Sequence, residues 1–119
     1  MTTFGAKLSA IAPGRVEITA PIGPGVLQQH GFGHAGLTFA LGDTAAGYAA
    51  LSLMAEGAEV LTAEIKINLL APARGQSLRA VGEVLKPGRR LVVVRATVLA
   101  LDGDRETEIA ALQGTMVPV

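Results

Sequence analysis

A single segment of this chain has the composition of a long helix, and everything after it alternates like strands. Residues 34–55 are dominated by Ala and Leu, which favour helix, and Gly57 follows as a stop signal. The segment approaches the length of a membrane-spanning helix, but it has a charged residue near its middle. We therefore predict a helix buried in the core of one domain.

Six strands are predicted around this helix. Turn signals stand at Pro13-Gly14, Pro87-Gly88 and Asp102-Gly103, and apolar residues alternate with polar ones between them. This order predicts an α+β architecture in which an antiparallel sheet wraps around the helix. The predicted strands are residues 6–12, 15–20, 60–70, 77–86, 91–101 and 106–117.

The strand predicted over residues 60–70 has one apolar and one polar face. Its alternation places Leu61, Ile65 and Ile67 on the apolar side and Thr62 on the polar side.

Composition excludes several classes of function. The chain has 119 residues, half of them hydrophobic and 17% charged, which fits one folded domain. The net charge is zero and no basic run exceeds Arg89-Arg90, so nucleic acid is not an expected partner. The absence of cysteine excludes disulfides and cysteine nucleophiles. The first residues lack a signal-peptide pattern, so a cytoplasmic location is the default expectation.

Asp43 is the only charged residue between Ile18 and Ala55. A carboxylate in an apolar helix is costly to bury, so it needs a compensating reason. Helical spacing places it opposite the stripe predicted to face the core, with small residues around it, and we interpret this side as a groove for a ligand. The alternative is that Asp43 caps or pairs with another group and does no chemistry. The predicted core stripe is Leu37, Leu41, Tyr48 and Leu51, and the small neighbours are Gly36, Ala40, Gly47 and Ala50.

The start of the helix, at residues 34–36, is a second candidate element. Its first N–H groups lack partners within the helix and can stabilise an oxyanion. Asp43 lies about two turns further on, roughly 10 Å along the axis, too far to share one reacting carbon within one chain. This spacing and the uncovered edge of the 60–70 strand predict a homodimer with shared sites, or a tetramer built as a dimer of dimers.

The loop and helix together resemble a known signature. Residues 28–36 (QQHGFGHAG) and 41–45 (LGDTA) resemble the motif of hot-dog-fold acyl-CoA thioesterases, especially the phenylacetate-degradation subgroup. Residues 62–72 resemble the family's third strand, and Gly82 with residues 87–90 resembles its next hairpin. The resemblance implies one hot-dog domain over residues 1–119, with about six strands around a central helix, and hydrolysis of acyl-CoA to a free acid and CoA.

The resemblance also implies roles for individual residues. Asp43 matches the catalytic carboxylate, which acts as general base or nucleophile. Ala35 matches the position whose backbone N–H polarises the thioester carbonyl, with Gly36 beside it, although the family has Gly where this chain has Ala35. Gln28 matches an amide residue, often Asn, that helps to place the attacking water. The other loop positions of the motif are His30 and His34.

The expected partner is the acyl-CoA substrate, and no cofactor is expected. His30 and His34 are the only histidines, so metal binding is weakly supported. CoA carries phosphates, which basic residues at strand ends and turns could bind, although ordinary solvated charge is the alternative for each. These residues are Arg74, Lys86, Arg89 and Arg90.

Two other functions remain open at this point. One is a hot-dog hydratase or dehydratase acting on enoyl or hydroxyacyl thioesters. The other is a protein that binds acyl-CoA without turnover. An α/β-hydrolase is not expected, since Gly-x-Ser-x-Gly is absent.

Overall fold

The computed structural model describes residues 5–23 and 33–119. The positions of Gln28 and His30 lie outside the described residues, so their predicted roles stay predictions. The elements follow in the predicted order, with boundaries within a few residues of those predicted. They are β1 (Lys7–Ala12), β2 (Arg15–Pro21), α1 (Ala35–Leu51), β3 (Val60–Leu69), β4 (Ser77–Pro87), β5 (Val92–Asp102) and β6 (Arg105–Pro118).

The six strands form one antiparallel sheet in the order β1-β2-β4-β5-β6-β3. The helix α1 packs against this sheet, mainly over β4, β5 and β2. β3 pairs only with β6 and is therefore an edge strand. This arrangement confirms the predicted hot-dog fold. No helix in residues 5–23 and 33–119 is long and apolar enough to cross a membrane.

The helix ends at Leu51, four residues before the predicted end, because another contact fixes its C-terminus. The Ser52 hydroxyl donates to the carbonyl of Ala49 (2.6 Å) and accepts from the backbone N–H of Gly14 (2.8 Å). The end of α1 is thus bonded to the β1–β2 turn. Gly57, the predicted stop, lies beyond the helix in a turn, with φ +84°.

The predicted core stripe of α1 is only partly correct. Leu37 and Leu41 are fully buried, but Tyr48 is 47% exposed, so its assignment to the core is wrong. Small residues take its place, since Ala45 and Ala49 have no exposed surface. Burial of a helix against a sheet depends on close approach as well as apolarity, and alanine permits the closest approach among residues with a side-chain carbon.

Gly82 of β4 allows this close approach. A Cβ added at Gly82 would collide with the backbone of Ala45 and Ala46 in α1. The centre of the helix therefore rests directly on the backbone of a central strand.

The alternation predicted for residues 60–70 fails near the start of β3. Thr62 pairs with Met116 and Glu64 pairs with Thr115, which leaves Ala63 as the extra residue of a β-bulge. A bulge reverses the side-chain alternation of the strand beyond it. Thr62 consequently faces α1, on the same side as Ile65, instead of the predicted opposite side.

Gly82→Ala tests how tightly the helix depends on this approach. We expect the free energy of unfolding to fall by about 1–3 kcal/mol, because the new methyl group must push α1 away from β4. Urea denaturation followed by circular dichroism measures this change. Gly23→Ala is the matched control, since an added Cβ there meets nothing within 4 Å and should change stability by about 0.5 kcal/mol or less. Equal stability of both variants would contradict the close contact.

Candidate active site

Asp43 and Thr62 form the centre of the candidate site. Thr62 Oγ1 donates a hydrogen bond of 2.7 Å to Oδ1 of Asp43, and it also lies 3.3 Å from the sulfur of Met116. Asp43 is half-buried on α1, whereas Met116 is fully buried on β6. Within residues 5–23 and 33–119, Thr62 provides the one hydrogen bond to the Asp43 carboxylate.

The small residues predicted around Asp43 are divided between the surface and the interior. Gly36 is exposed and Ala40 is half-buried, but Ala50 is fully buried and cannot line an open groove. Gly47, one turn beyond Asp43, is also buried, although a Cβ added there would meet nothing within 4 Å. Only Gly36 and Ala40 of the four leave surface exposed, so the predicted face of small residues is only partly open.

The first N–H groups of α1 are mostly engaged. His34 is the N-cap residue, and its Nδ1 accepts the N–H of Gly36 at 2.8 Å. The carbonyl of His34 accepts the N–H groups of Leu37 (3.0 Å) and Thr38 (3.4 Å). The described hydrogen bonds give the N–H of Ala35 no acceptor. The cap thus occupies the N–H of Gly36, whereas the N–H of Ala35 has no acceptor among the described residues.

An apolar groove of about 430 Å³ lies between β1 and α1. It reaches Thr44, the residue after Asp43, and the exposed ring of Tyr48 forms part of its wall. Lys7 is the charged residue at its edge. The other apolar lining residues are Ala6, Leu8, Ile11, Ile18 and Leu51.

The four basic residues predicted to bind CoA do not converge within one chain. Arg74 follows Ala73, whose carbonyl accepts the N–H of Gly33 at 2.8 Å, so it lies near the start of α1. Arg89 borders a cavity together with Met54, just beyond the other end of α1. Lys86 and Arg90 belong to the same β4–β5 hairpin region as Arg89 and are exposed.

Thr62 is the site residue that the sequence pattern did not predict. A strict period of two places it on the opposite face of β3, and only the bulge turns it toward Asp43. One signal for the bulge is present in the sequence. Gly114 stands in the middle of the partner strand, and a glycine inside a strand often marks a bulge or a close backbone approach.

A family model described as "Thioesterase superfamily" matches residues 30–107, which include His34, Asp43 and Thr62. The match covers more than half of the chain, and the chain therefore belongs to the thioesterase superfamily. No curated protein matches the chain.

Solved structures agree with this assignment. A thioesterase family protein from Silicibacter pomeroyi is 45% identical, with a TM-score of 0.98 over 100% of this chain and 88% of that one. A protein from Bacillus halodurans, solved with CoA, is 30% identical, with a TM-score of 0.79 over 87% of this chain and 66% of that one. The E. coli PaaI protein from the phenylacetic acid degradation operon is 22% identical, with a TM-score of 0.88 over 99% of this chain and 82% of that one, and shares the fold.

Substitutions of His34 separate its capping role from a chemical one. His34→Ala should lower the free energy of unfolding by about 1 kcal/mol, because the N–H of Gly36 loses its acceptor. His34→Asn should restore most of this stability, since asparagine is a preferred N-cap residue. Thermal denaturation and thioester hydrolysis are measured on the same preparations. A stable His34→Asn protein that hydrolyses thioesters normally shows that capping suffices, whereas a stable but inactive one shows that catalysis needs the imidazole.

Proposed function

We propose that this chain hydrolyses acyl-CoA thioesters to a free acid and CoA, with Asp43 as general base or nucleophile. The observation that carries the proposal is the Asp43–Thr62 pair, in which one carboxylate oxygen accepts a hydrogen bond and the other has no hydrogen-bond partner among the described residues. A solved relative with bound CoA supports CoA as the carrier of the acyl group.

The hydrogen bond from Thr62 orients the carboxylate, which is the positioning that acid–base catalysis requires. As a base, Oδ2 of Asp43 removes a proton from water while the water oxygen attacks the thioester carbon. As a nucleophile, Oδ2 attacks that carbon itself, and water later hydrolyses the anhydride. In both cases the C–S bond breaks, and CoA leaves as a thiolate that then takes up a proton.

The carbonyl oxygen gains negative charge during this attack and requires a hydrogen-bond donor. The N–H of Ala35, which has no acceptor among the described residues, is suited to this role, since the cap occupies the next N–H along the helix. Ala35 and Asp43 are about two turns apart on α1, so we propose that the Ala35 of one protomer serves the Asp43 of another.

A second copy of the chain would also cover apolar surface on the β3 side. Leu61, Leu69 and Leu70 are more than half exposed on or beside this edge strand. Pairing of β3 with β3 of the second chain would give the unpaired backbone N–H and C=O groups of this edge hydrogen-bond partners and bring the two helices near one another. The same pairing would bring Arg74 of one protomer toward the β4–β5 hairpin of its partner. Arg74 and the basic residues of that hairpin would then contact the phosphates of one CoA.

The apolar groove between β1 and α1 is the space we assign to the acyl group. Its volume of about 430 Å³ lies within the usual range for small-molecule sites, roughly 300–1,000 Å³. The groove reaches Thr44, the residue after Asp43, and its mostly apolar lining favours a hydrocarbon or aromatic acyl chain over a polar one.

Asp43→Asn tests the role of the carboxylate. We expect turnover of acyl-CoA to fall by roughly 10²–10⁴-fold, because the amide can neither accept the proton nor attack the carbon. Folding and acyl-CoA affinity should change little, since the carboxylate acts mainly in the transition state. Melting temperature, binding and turnover are measured on one preparation, with phenylacetyl, short-chain and long-chain acyl-CoAs as substrates.

A folded Asp43→Asn protein with normal turnover would refute the proposed mechanism. A wild-type protein that binds every acyl-CoA but hydrolyses none would instead make it a binding protein.

The proposed shared site predicts that dimerisation and activity are lost together. Leu61→Lys places a charge on the edge of β3, where it should block strand pairing without disturbing the core, since Leu61 is 57% exposed. We expect sedimentation to show a monomer and turnover to be lost. Leu53→Lys is the control, because Leu53 is also exposed (43%) but lies just beyond the end of α1, outside both β3 and the β4–β5 hairpin. A fully active monomer would refute the shared site.

A further inference from the structure

We propose that Gly114 is a positioning residue for the candidate site, because it makes room for the β-bulge that turns Thr62 toward Asp43. This inference rests on the proposed catalytic function of Asp43.

Gly114 lies opposite Ile65, two residues after the bulged Ala63. A Cβ on Gly114 would collide with the carbonyl oxygen of Glu64 and lie 2.8 Å from the Cα and 2.9 Å from the Cβ of Ile65. The Cβ atoms of directly opposed residues in a regular antiparallel pair are about 4.5–5.5 Å apart. The backbone of β3 therefore occupies the space that a side chain at position 114 would need.

The next two residues of β6 hold the bulge from opposite faces of the sheet. Thr115 Oγ1 donates to Oε1 of Glu64 at 2.7 Å, on the face away from α1. Met116 lies opposite Thr62 on the face toward α1, with its sulfur 3.3 Å from Thr62 Oγ1. Each contact fixes one flank of Ala63, so the extra residue is confined to this point of the strand.

The direction of Thr62 depends on that confinement. If the strand continued as a regular ladder from Ile65 back through Ala63, Thr62 would face away from α1 and could not reach Asp43. Glycine inside a strand is normally unfavourable, because it loses backbone entropy and contributes no packing. Accommodation of the bulge is the structural feature that offsets this cost at position 114.

Gly114→Ala should therefore impair chemistry more than binding. We expect kcat for an acyl-CoA to fall by roughly 10²-fold, the effect of displacing a catalytic group by about 1 Å, with KM changed little. Thr62→Val should give a similar loss. Because both substitutions act on the same contact, the double variant should be no slower than Thr62→Val alone.

A general loss of stability is controlled by Val98→Ala. Val98 is fully buried on β5, which does not adjoin β3, so this variant should be destabilised yet keep its turnover per folded molecule. Normal kcat in folded Gly114→Ala, or multiplication of the two losses in the double variant, would overturn the proposal.

Deletion of Ala63 keeps the proposal testable even if Gly114→Ala does not fold. Without the extra residue, β3 can pair regularly while Thr62 stays opposite Met116. In that background Gly114→Ala should change both the melting temperature and kcat little. If Gly114→Ala lowers the melting temperature and kcat equally with and without Ala63, Gly114 does not act through the bulge.

The result for Asp43→Asn separates the two proposals. If Asp43→Asn is inactive while Gly114→Ala is normal, only the positioning role fails. If folded Asp43→Asn is fully active, both the proposed mechanism and the positioning role of Gly114 fail.

Discussion

The fold depends on one close contact between a helix and the backbone of a strand. At Gly82 the strand has no side chain, and the Ala45 turn of α1 lies against it. Because dispersion forces fall steeply with distance, this contact stabilises the core without large side chains. It also sets the depth of α1 in the sheet. The distance between α1 and the sheet determines whether a short side chain such as Asp43 can reach Thr62 on β3.

The sheet contributes to the site through an irregularity. A regular strand would present alternate residues to α1, and the sequence of β3 would then turn Thr62 away from the helix. The bulge at Ala63 lets Ile65 keep its place against the core while Thr62 also faces inward. The packing of Ile65 and the contact of Thr62 with Asp43 require both side chains on one face, and the extra residue Ala63 makes this possible.

The elements were predictable because each has a strong local signal. Turn pairs such as Pro13-Gly14 and the Ala-rich segment around Ala45 predict the order of strands and helix, and the isolated charge of Asp43 indicates the candidate site. Tyr48 and Thr62 were assigned to the wrong sides because their positions depend on contacts distant in sequence. Regular periodicity contains no information about how closely α1 approaches β4, or about an extra residue in β3.

The two groups proposed to act on the thioester are separated by the same helix that presents them. A rigid α1 fixes both the Ala35 N–H and the Asp43 carboxylate accurately, yet its rise of 1.5 Å per residue keeps them too far apart for one reacting carbon. Bending the helix would sacrifice the contact at Gly82. The proposed symmetric pair of chains would avoid that cost by placing the start of one helix beside the middle of the other. In the proposed dimer, the edge of β3 would be the surface along which two sites are completed at once.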